Sequence, residues 1–365
     1  MNNTQYLINK FVLKLMLQRT LIFLIFIFVV SYSAAQLGGN AIYRFVDIPA
    51  AARQSALGGK LVPVYDNDFN TVLSNPSLLN ANMSNHLTLS YVNYIADVNY
   101  GYAAYAHHYN KIGSFAMNVQ FMSYGKFKET DATGFVTGNF TASDYCYNIL
   151  YARQIDSVFS IGGNLKTIYS HLDQYTSLGN ALDAGATYHS KDKLFTSSFL
   201  IKNIGHQWTY YTPGNKEPMP FDIQLGASKK LPKAPIRFVF VFHHLQKWDL
   251  TYVDANNPTA TTDPLTGAPV KQNKTKIAAD KLGRHFIGGV EFVLGKNFNL
   301  QFSYNYQRRK ELKFDGRAGI AGFSLGFGLK ISKFNISYSH AQFNTAAGTD
   351  HITITTNLSS FYTKK

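Results

Sequence analysis

One stretch of the sequence decides the fold class, FNLQFSYNYQ at residues 298–307. Apolar or aromatic residues alternate with neutral polar ones along its whole length. Successive side chains of a β-strand point to opposite faces, so the stretch predicts a strand with one apolar and one polar face. Residues 321–330 repeat the pattern, with Phe323, Leu325 and Phe327 set between Gly and Ser residues.

Strands of this kind recur from residue 86 onward. They number about fourteen, each about ten residues long, which is the length that crosses a bilayer at a tilt. Short and long connections alternate between them. The short connections are residues 110–111, 155–157, 191–193, 231–233, 295–297 and 332–333. The long ones are residues 124–143, 170–180, 204–220, 245–284, 308–317 and 342–350, and the short hairpin 95–99 is the exception. Outer-membrane barrels have tight periplasmic turns and long outer loops, so we expect an all-β transmembrane outer-membrane β-barrel of about 14 antiparallel strands. A secreted soluble β-sandwich is the alternative.

The chain is expected to divide into three parts. Residues 1–35 predict a secretory signal peptide, because basic residues precede the apolar run 21–30 and small residues follow it. Residues 36–85 predict an N-terminal plug or periplasmic segment, in which Asp47 caps a short helix that Pro49 begins and Gly58-Gly59 ends. Residues 86–365 predict the barrel. We therefore expect the mature chain to begin at Gln36 and to lie in the outer membrane.

Composition limits the classes of function. The aromatic content is 15% and only 15% of residues are charged, which excludes a disordered chain. The 35 Lys and Arg against 21 Asp and Glu suit anionic lipid or an acidic protein, and an exported chain does not meet nucleic acid. Tyr and Phe at predicted strand ends indicate girdles at the membrane interfaces, with ordinary β-propensity as the alternative.

No catalytic or metal-binding arrangement is predicted. His107-His108 and His243-His244 are adjacent on predicted strands, so the members of each pair should point to opposite faces and share no metal. The pattern from Ser123 to Lys126 matches the SxxK motif of penicillin-binding enzymes. That motif works at the start of a helix and with a KTG motif, which this sequence lacks. We expect no enzyme activity and no cofactor.

Several stretches resemble a known family. The most telling are residues 43–59 (YRFVDIPAAARQSALGG), 75–79 (NPSLL) and 94–105 (YIADVNYGYAAY), and further matches follow in order to residue 250. They resemble the PorQ family of the type IX secretion system of Bacteroidetes. The order of Arg53, Gly58-Gly59 and Asn75-Pro76 is also similar to that in FadL and other fourteen-stranded relatives. The resemblance implies a non-enzymatic outer-membrane barrel that holds a PorZ-like surface protein in the attachment complex with PorU and PorV.

Two functions remain open at this point. The first is an anchor for that surface partner, and the alternative is a FadL-like conduit or binder for a hydrophobic ligand. Trp and Tyr dominate binding hot spots, so we expect the partner surface on the long loops, with the outer aromatic girdle as the alternative. The candidate residues are Trp208, Tyr210, Tyr211, Trp248 and Tyr252. Binding of lipopolysaccharide phosphates is the alternative for the basic residues Lys271, Lys274, Lys276, Lys281 and Arg284.

Overall fold

The computed structural model describes residues 41–251, 273–312, 319–342 and 348–362. Within these ranges, fourteen antiparallel strands form a closed barrel in which β14 pairs with β1. Every other strand pairs with its neighbours in the sequence, so the predicted fold class is confirmed. The strands are β1 His86–Asn93, β2 Asn99–Tyr109, β3 Gly113–Thr130, β4 Val136–Gln154, β5 Phe159–Leu172, β6 Tyr175–His189, β7 Phe195–Thr209, β8 Asp222–Lys230, β9 Ile236–Phe242, β10 Phe286–Leu294, β11 Phe298–Asn305, β12 Phe323–Ile331, β13 Phe334–Gln342 and β14 Gly348–Asn357.

The two faces of the strands follow the alternation of the sequence. In β12 the side chains of Phe323, Leu325 and Phe327 are exposed on the outer face, whereas Ser324 is buried on the inner face. In β11 the large residues Leu300 and Phe302 alternate with buried Gln301 and Ser303. This arrangement suits a barrel in a membrane, because the apolar outer face contacts lipid and the polar inner face contacts the protein segment inside.

The six connections predicted to be short all lie at one end of the barrel, which we call the short-turn end, and they match the predicted positions. The opposite end is the long-loop end. Two connections predicted to be long there are wrong. Strands β3 and β4 continue as a paired hairpin as far as Thr130 and Val136, and β5 and β6 are joined by Asp173 and Gln174 alone. Both faces of the protruding β3–β4 hairpin are exposed, so the sequence there shows no apolar alternation.

Two other connections at the long-loop end contain helices that the strand pattern did not predict. Helix α2 spans Lys274–Arg284 and helix α3 spans Tyr306–Leu312. The side chain of Asn273 accepts hydrogen bonds from the main-chain N–H groups of Thr275 and Lys276 and so caps α2. None of the helices in the described part of the chain is both long and apolar enough to cross a membrane.

The N-terminal segment, residues 41–85, contains helix α1, Ala52–Ala56, and several 3-10 turns. Gly58 and Gly59 follow α1 with φ of 92° and 96°, the left-handed region that glycine adopts without strain, so the predicted end of the helix is confirmed. The predicted cap is wrong, because the N-cap of α1 is Ala51. Asp47 instead ends a preceding 3-10 turn, and the Asn203 side chain donates a hydrogen bond to it over 3.0 Å. The predicted signal peptide lies outside the described residues.

Candidate functional site

Hydrogen bonds from the inner face of the barrel reach the main chain of the N-terminal segment around much of the circumference. The hydroxyl of Ser90 on β1 donates to the carbonyl of Ala50 over 2.7 Å. The hydroxyl of Ser303 on β11 donates to the carbonyl of Ala56 over 2.7 Å. Further such bonds join Ser160 to Ser77, Ser228 to Pro63, Asn305 to Gly58, and Ala52 to Thr353. Each satisfies a buried main-chain group that would otherwise cost about 1–3 kcal/mol.

Small residues on the strands allow this close approach. A Cβ atom added to Gly326 on β12 would lie 2.7 Å from the Cβ of Ala56. One added to Gly162 on β5 would lie 2.6 Å from the main chain of Pro76 and Ser77. Real Cβ atoms do not pack this tightly, so glycine is required at both positions. The run of Gly and Ser residues on β12 therefore faces the N-terminal segment.

Arg53 on α1 is the centre of a group of buried charges. Its guanidinium donates to both carboxylate oxygens of Glu291 on β10, over 2.9 and 3.0 Å, and to Asp66 and Asp68 over 2.8 and 2.9 Å. Arg237 on β9 contacts Glu291 over 2.6 Å and Asp66 over 3.2 Å. Glu291 is fully buried. Burial raises the pKa of the Asp66 carboxyl, but Arg53 and Arg237 outweigh this and hold its pKa at about 2.

A second charged contact joins the N-terminal segment to β8. Lys60 Nζ lies 2.5 Å from a carboxylate oxygen of Asp222. The other oxygen of that carboxylate accepts the main-chain N–H of His244 over 2.7 Å. The prediction that His243 and His244 point to opposite faces is wrong, since both are buried and their ring centroids lie 4.9 Å apart. Both residues lie beyond the end of β9, and His244 has a φ of 55°, which breaks the alternation of a strand.

Across the described residues, no group of three or more His, Cys, Asp and Glu side chains is arranged to hold a metal ion. His107 and His108 bond to different partners, Asn85 and the Ser114 hydroxyl. Ser123 and Lys126 lie within β3, on either side of a register shift. They are therefore not at the helix start where the SxxK motif of penicillin-binding enzymes works.

The long-loop end is covered from inside by an apolar group of side chains. Tyr43 of the N-terminal segment packs in one cluster with Tyr100, Met122 and Ile168 of the strands. The connection from β7 to β8 folds inward over this cluster, where the carbonyl of Pro218 accepts the main-chain N–H of Ile42 over 3.0 Å and Met219 is buried.

The predicted partner-binding residues do not share one orientation. Trp208 and Trp248 are 61% and 63% exposed, and Tyr210 is exposed as well. Tyr211 turns inward, packs against the apolar cluster and donates a hydrogen bond to the Ser170 hydroxyl over 2.5 Å. Tyr252 lies outside the described residues. Partner binding by these residues stays a prediction, and three of the four described residues are accessible for it.

Helices α2 and α3 meet through one carboxylate that the sequence did not single out. Asp280 accepts bonds from Arg284 over 2.9 Å, from Lys310 over 2.8 Å and from the Tyr306 hydroxyl over 2.8 Å. Burial raises the pKa of Asp280, but these donors outweigh it and hold the pKa at about 2. Two of the five residues suggested for lipopolysaccharide binding are engaged in ion pairs, because Arg284 contacts Asp280 and Lys281 contacts Asp249 over 2.6 Å. Lys274 and Lys276 are exposed, and Lys271 lies outside the described residues.

Two cavities of contrasting character lie beside the N-terminal segment. One of about 630 Å³ lies at the short-turn end and is lined mainly by charged residues and amides, among them Arg53, Arg237 and Glu291. The other, of about 10 Å³, is apolar and lies between Phe69, Val72 and the inner face of β2 to β4. The second is too small for an organic ligand, since such sites usually occupy about 300–1,000 Å³.

No family model matches the chain, and no curated protein sequence matches it either. Among solved structures, it is similar to the toluene transporter TodX of Pseudomonas putida, at 11% identity and a TM-score of 0.45, over 84% of this chain and 96% of that one. It is similar to a FadL homologue of Pseudomonas aeruginosa at 11% identity and a TM-score of 0.43, over 84% and 98%. The KdgM porin follows at 5% identity and a TM-score of 0.33, over 74% and 98%. These scores carry no argument about function. The fold itself is a closed fourteen-stranded β-barrel of the outer-membrane type.

Proposed function

We propose that the protein is an outer-membrane barrel whose lumen is closed by its own N-terminal segment, which we call the plug, and that it anchors a partner at the cell surface. The observation that carries the proposal is the attachment of the plug. Buried hydrogen bonds and ion pairs tie it to strands on every side of the lumen, including β1, β5, β8, β10, β11 and β14. A barrel closed in this way acts through its ends rather than through an open pore.

The identity of the partner rests on the sequence resemblance. In those terms the partner is a PorZ-like surface protein of the type IX cargo attachment complex, with lipopolysaccharide around it. The long-loop end supports a docking role, because Trp208, Tyr210 and Trp248 are exposed there. The β3–β4 hairpin adds Phe135 at its tip, which is 73% exposed. Exposed aromatic residues of this kind contribute strongly to protein interfaces.

Two measurements test this function. Vesicles that contain the wild-type protein should stay impermeable to small sugars, whereas deletion of residues 41–79 should admit them. In addition, affinity isolation from native outer membranes should recover a surface partner with the wild type. The Trp208→Ala/Trp248→Ala variant should lose that partner while it keeps the heat-modifiable migration of a folded barrel. Tyr362→Ala is the control, because Tyr362 is even more exposed than the two tryptophans but follows β14 at the opposite end. Full retention of the partner by the double variant would contradict the docking role of the two tryptophans.

A second candidate is a FadL-like conduit or binder for a hydrophobic ligand. The apolar cluster at the long-loop end favours it, because Tyr100 and Met122 of the strands pack with Tyr43 and Tyr211 where such a ligand would enter. Saturable binding of a fluorescent fatty acid to the purified protein, weakened by Tyr211→Ala, would support it. No saturable binding to the wild type would leave the anchor as the function.

A further inference from the structure

The plug leaves an open groove at the short-turn end that none of the roles above uses. The charged cavity of about 630 Å³ is adjoined by a second one of about 290 Å³. Both are lined by Asp66, Asn67, Asn82, Lys230 and Arg237, so the two lie side by side, and together we call them the groove. It runs from the turn between β6 and β7, at Lys193, to the end of β12, at Lys330.

The charges of the groove fall into two groups. Arg53 and Arg237 are engaged with Asp66 and Glu291 in its floor. By contrast, four lysines along the groove make no ion pair with any described residue. These are Lys193, Lys230, Lys296 and Lys330. With Asp68 and Asp192 included, six cations and four carboxylates line the groove, which leaves an excess of two positive charges.

The remaining wall is amide-rich. The side chains of Asn67, Asn82, Asn297, Asn299 and Asn335 line the groove between the lysines. An amide side chain both donates and accepts hydrogen bonds, as a peptide group does. A single small anion would fill only a fraction of a groove of this length. Carboxylates spaced along an extended chain would instead meet the unpaired lysines in turn.

We propose that this groove binds an extended acidic peptide segment of another protein. The lysines would pair with its carboxylates, and the asparagines would bond to its main chain. The groove opens at the short-turn end, away from the surface partner of the proposed function, so this second interaction does not depend on the first. Because the lysines are accessible to solvent, the binding should weaken as salt is raised.

The test uses the full-length protein in detergent micelles and a fluorescently labelled tetrapeptide of alternating Asp and Glu. Fluorescence anisotropy should show saturable binding. The Lys230→Gln/Lys296→Gln/Lys330→Gln variant should bind about ten-fold more weakly, as expected for the loss of three exposed ion pairs. The matched control is Lys111→Gln/Lys229→Gln/Lys333→Gln, which removes the same charge at the same end but outside the groove. It should change the affinity less than about three-fold.

Several outcomes would overturn the proposal. These are equal weakening by the two triple variants, equal binding of a tetrapeptide of Asn and Gln, or displacement of the peptide by inorganic phosphate at the same concentration. The last result would identify a simple anion site. Carbodiimide cross-linking of the bound peptide to the wild type provides a second readout that needs no variant. The cross-links should fall on Lys296 or Lys330, and cross-links only at Lys111 or Lys333 would contradict the groove.

Discussion

Removal of Arg53 is the sharpest test of how the plug is held. We expect Arg53→Met to lower the free energy of unfolding by about 3–5 kcal/mol, the usual cost of breaking a buried ion pair by removing one partner. This loss is large for an ion pair, and three features of the contact between Arg53 and Glu291 account for it. Glu291 is fully buried, the Arg53 side chain is 9% exposed, and the contact is bidentate. The pairs of Arg53 with Asp66 and Asp68 add less, because the side chains of these two carboxylates are 26% and 23% exposed.

The double variant Arg53→Met/Glu291→Met separates this mechanism from simple loss of packing. It removes one cation and one anion, so the net charge of the group to which Asp66, Asp68 and Arg237 belong is the same as in the wild type. Replacement of a buried pair by apolar residues of similar size is often neutral or stabilising. We therefore expect the double variant to recover most of the stability that the single variant loses.

Urea unfolding in detergent micelles, followed by tryptophan fluorescence and heat-modifiable migration, measures both effects. Lys310→Met is the control, because it breaks a partly exposed ion pair with Asp280 and should cost less than about 1 kcal/mol. A loss below about 1 kcal/mol for Arg53→Met, or a double variant no more stable than the single one, would refute the reasoning.

Three further predictions follow from the same structure. Leu325→Arg places a charge on the outer face and should cost about 2–4 kcal/mol in urea unfolding from lipid vesicles, whereas Leu325→Phe should be neutral; equal tolerance would contradict the assignment of faces. Cysteines placed at Lys111 and Lys233, in a Cys146→Ser background, should resist a membrane-impermeant thiol reagent on intact cells if the short-turn end faces the periplasm. Asp66 has a pKa of about 2, below its usual value near 4, so its contribution to stability is complete above pH 4 and is lost as the pH falls through 2. Asp66→Asn should remove that part of the pH dependence of unfolding, and an unchanged profile would show that Asp66 does not cause it.

The barrel could be predicted from the sequence because its strands are half-buried. An outer face against lipid and an inner face against protein impose opposite polarities on alternate residues, as Leu325 and Ser324 illustrate. Where this constraint ends, the prediction failed. The β3–β4 hairpin is exposed on both faces beyond Gly125, so its strands resemble a loop in sequence. Helix α3 was not predicted either, because its contact with α2 depends on Asp280, which is distant in the sequence.

The sites of contact with the plug were harder to predict than the strands, for a similar reason. No local sequence pattern around Arg53 or Glu291 identifies the other residue as its partner, since 238 positions separate them. What the strands do show is the kind of partner. Inner faces of Ser, Asn, Thr and Gly offer short donors and close approach, which suit the main chain of a packed segment. A water-filled pore needs neither, because water satisfies any polar side chain. Gly162 and Gly326 are required only where main chain or Cβ atoms of the plug touch the wall. The packing of the N-terminal segment against the inner wall is therefore encoded in the strands as well as in the segment itself.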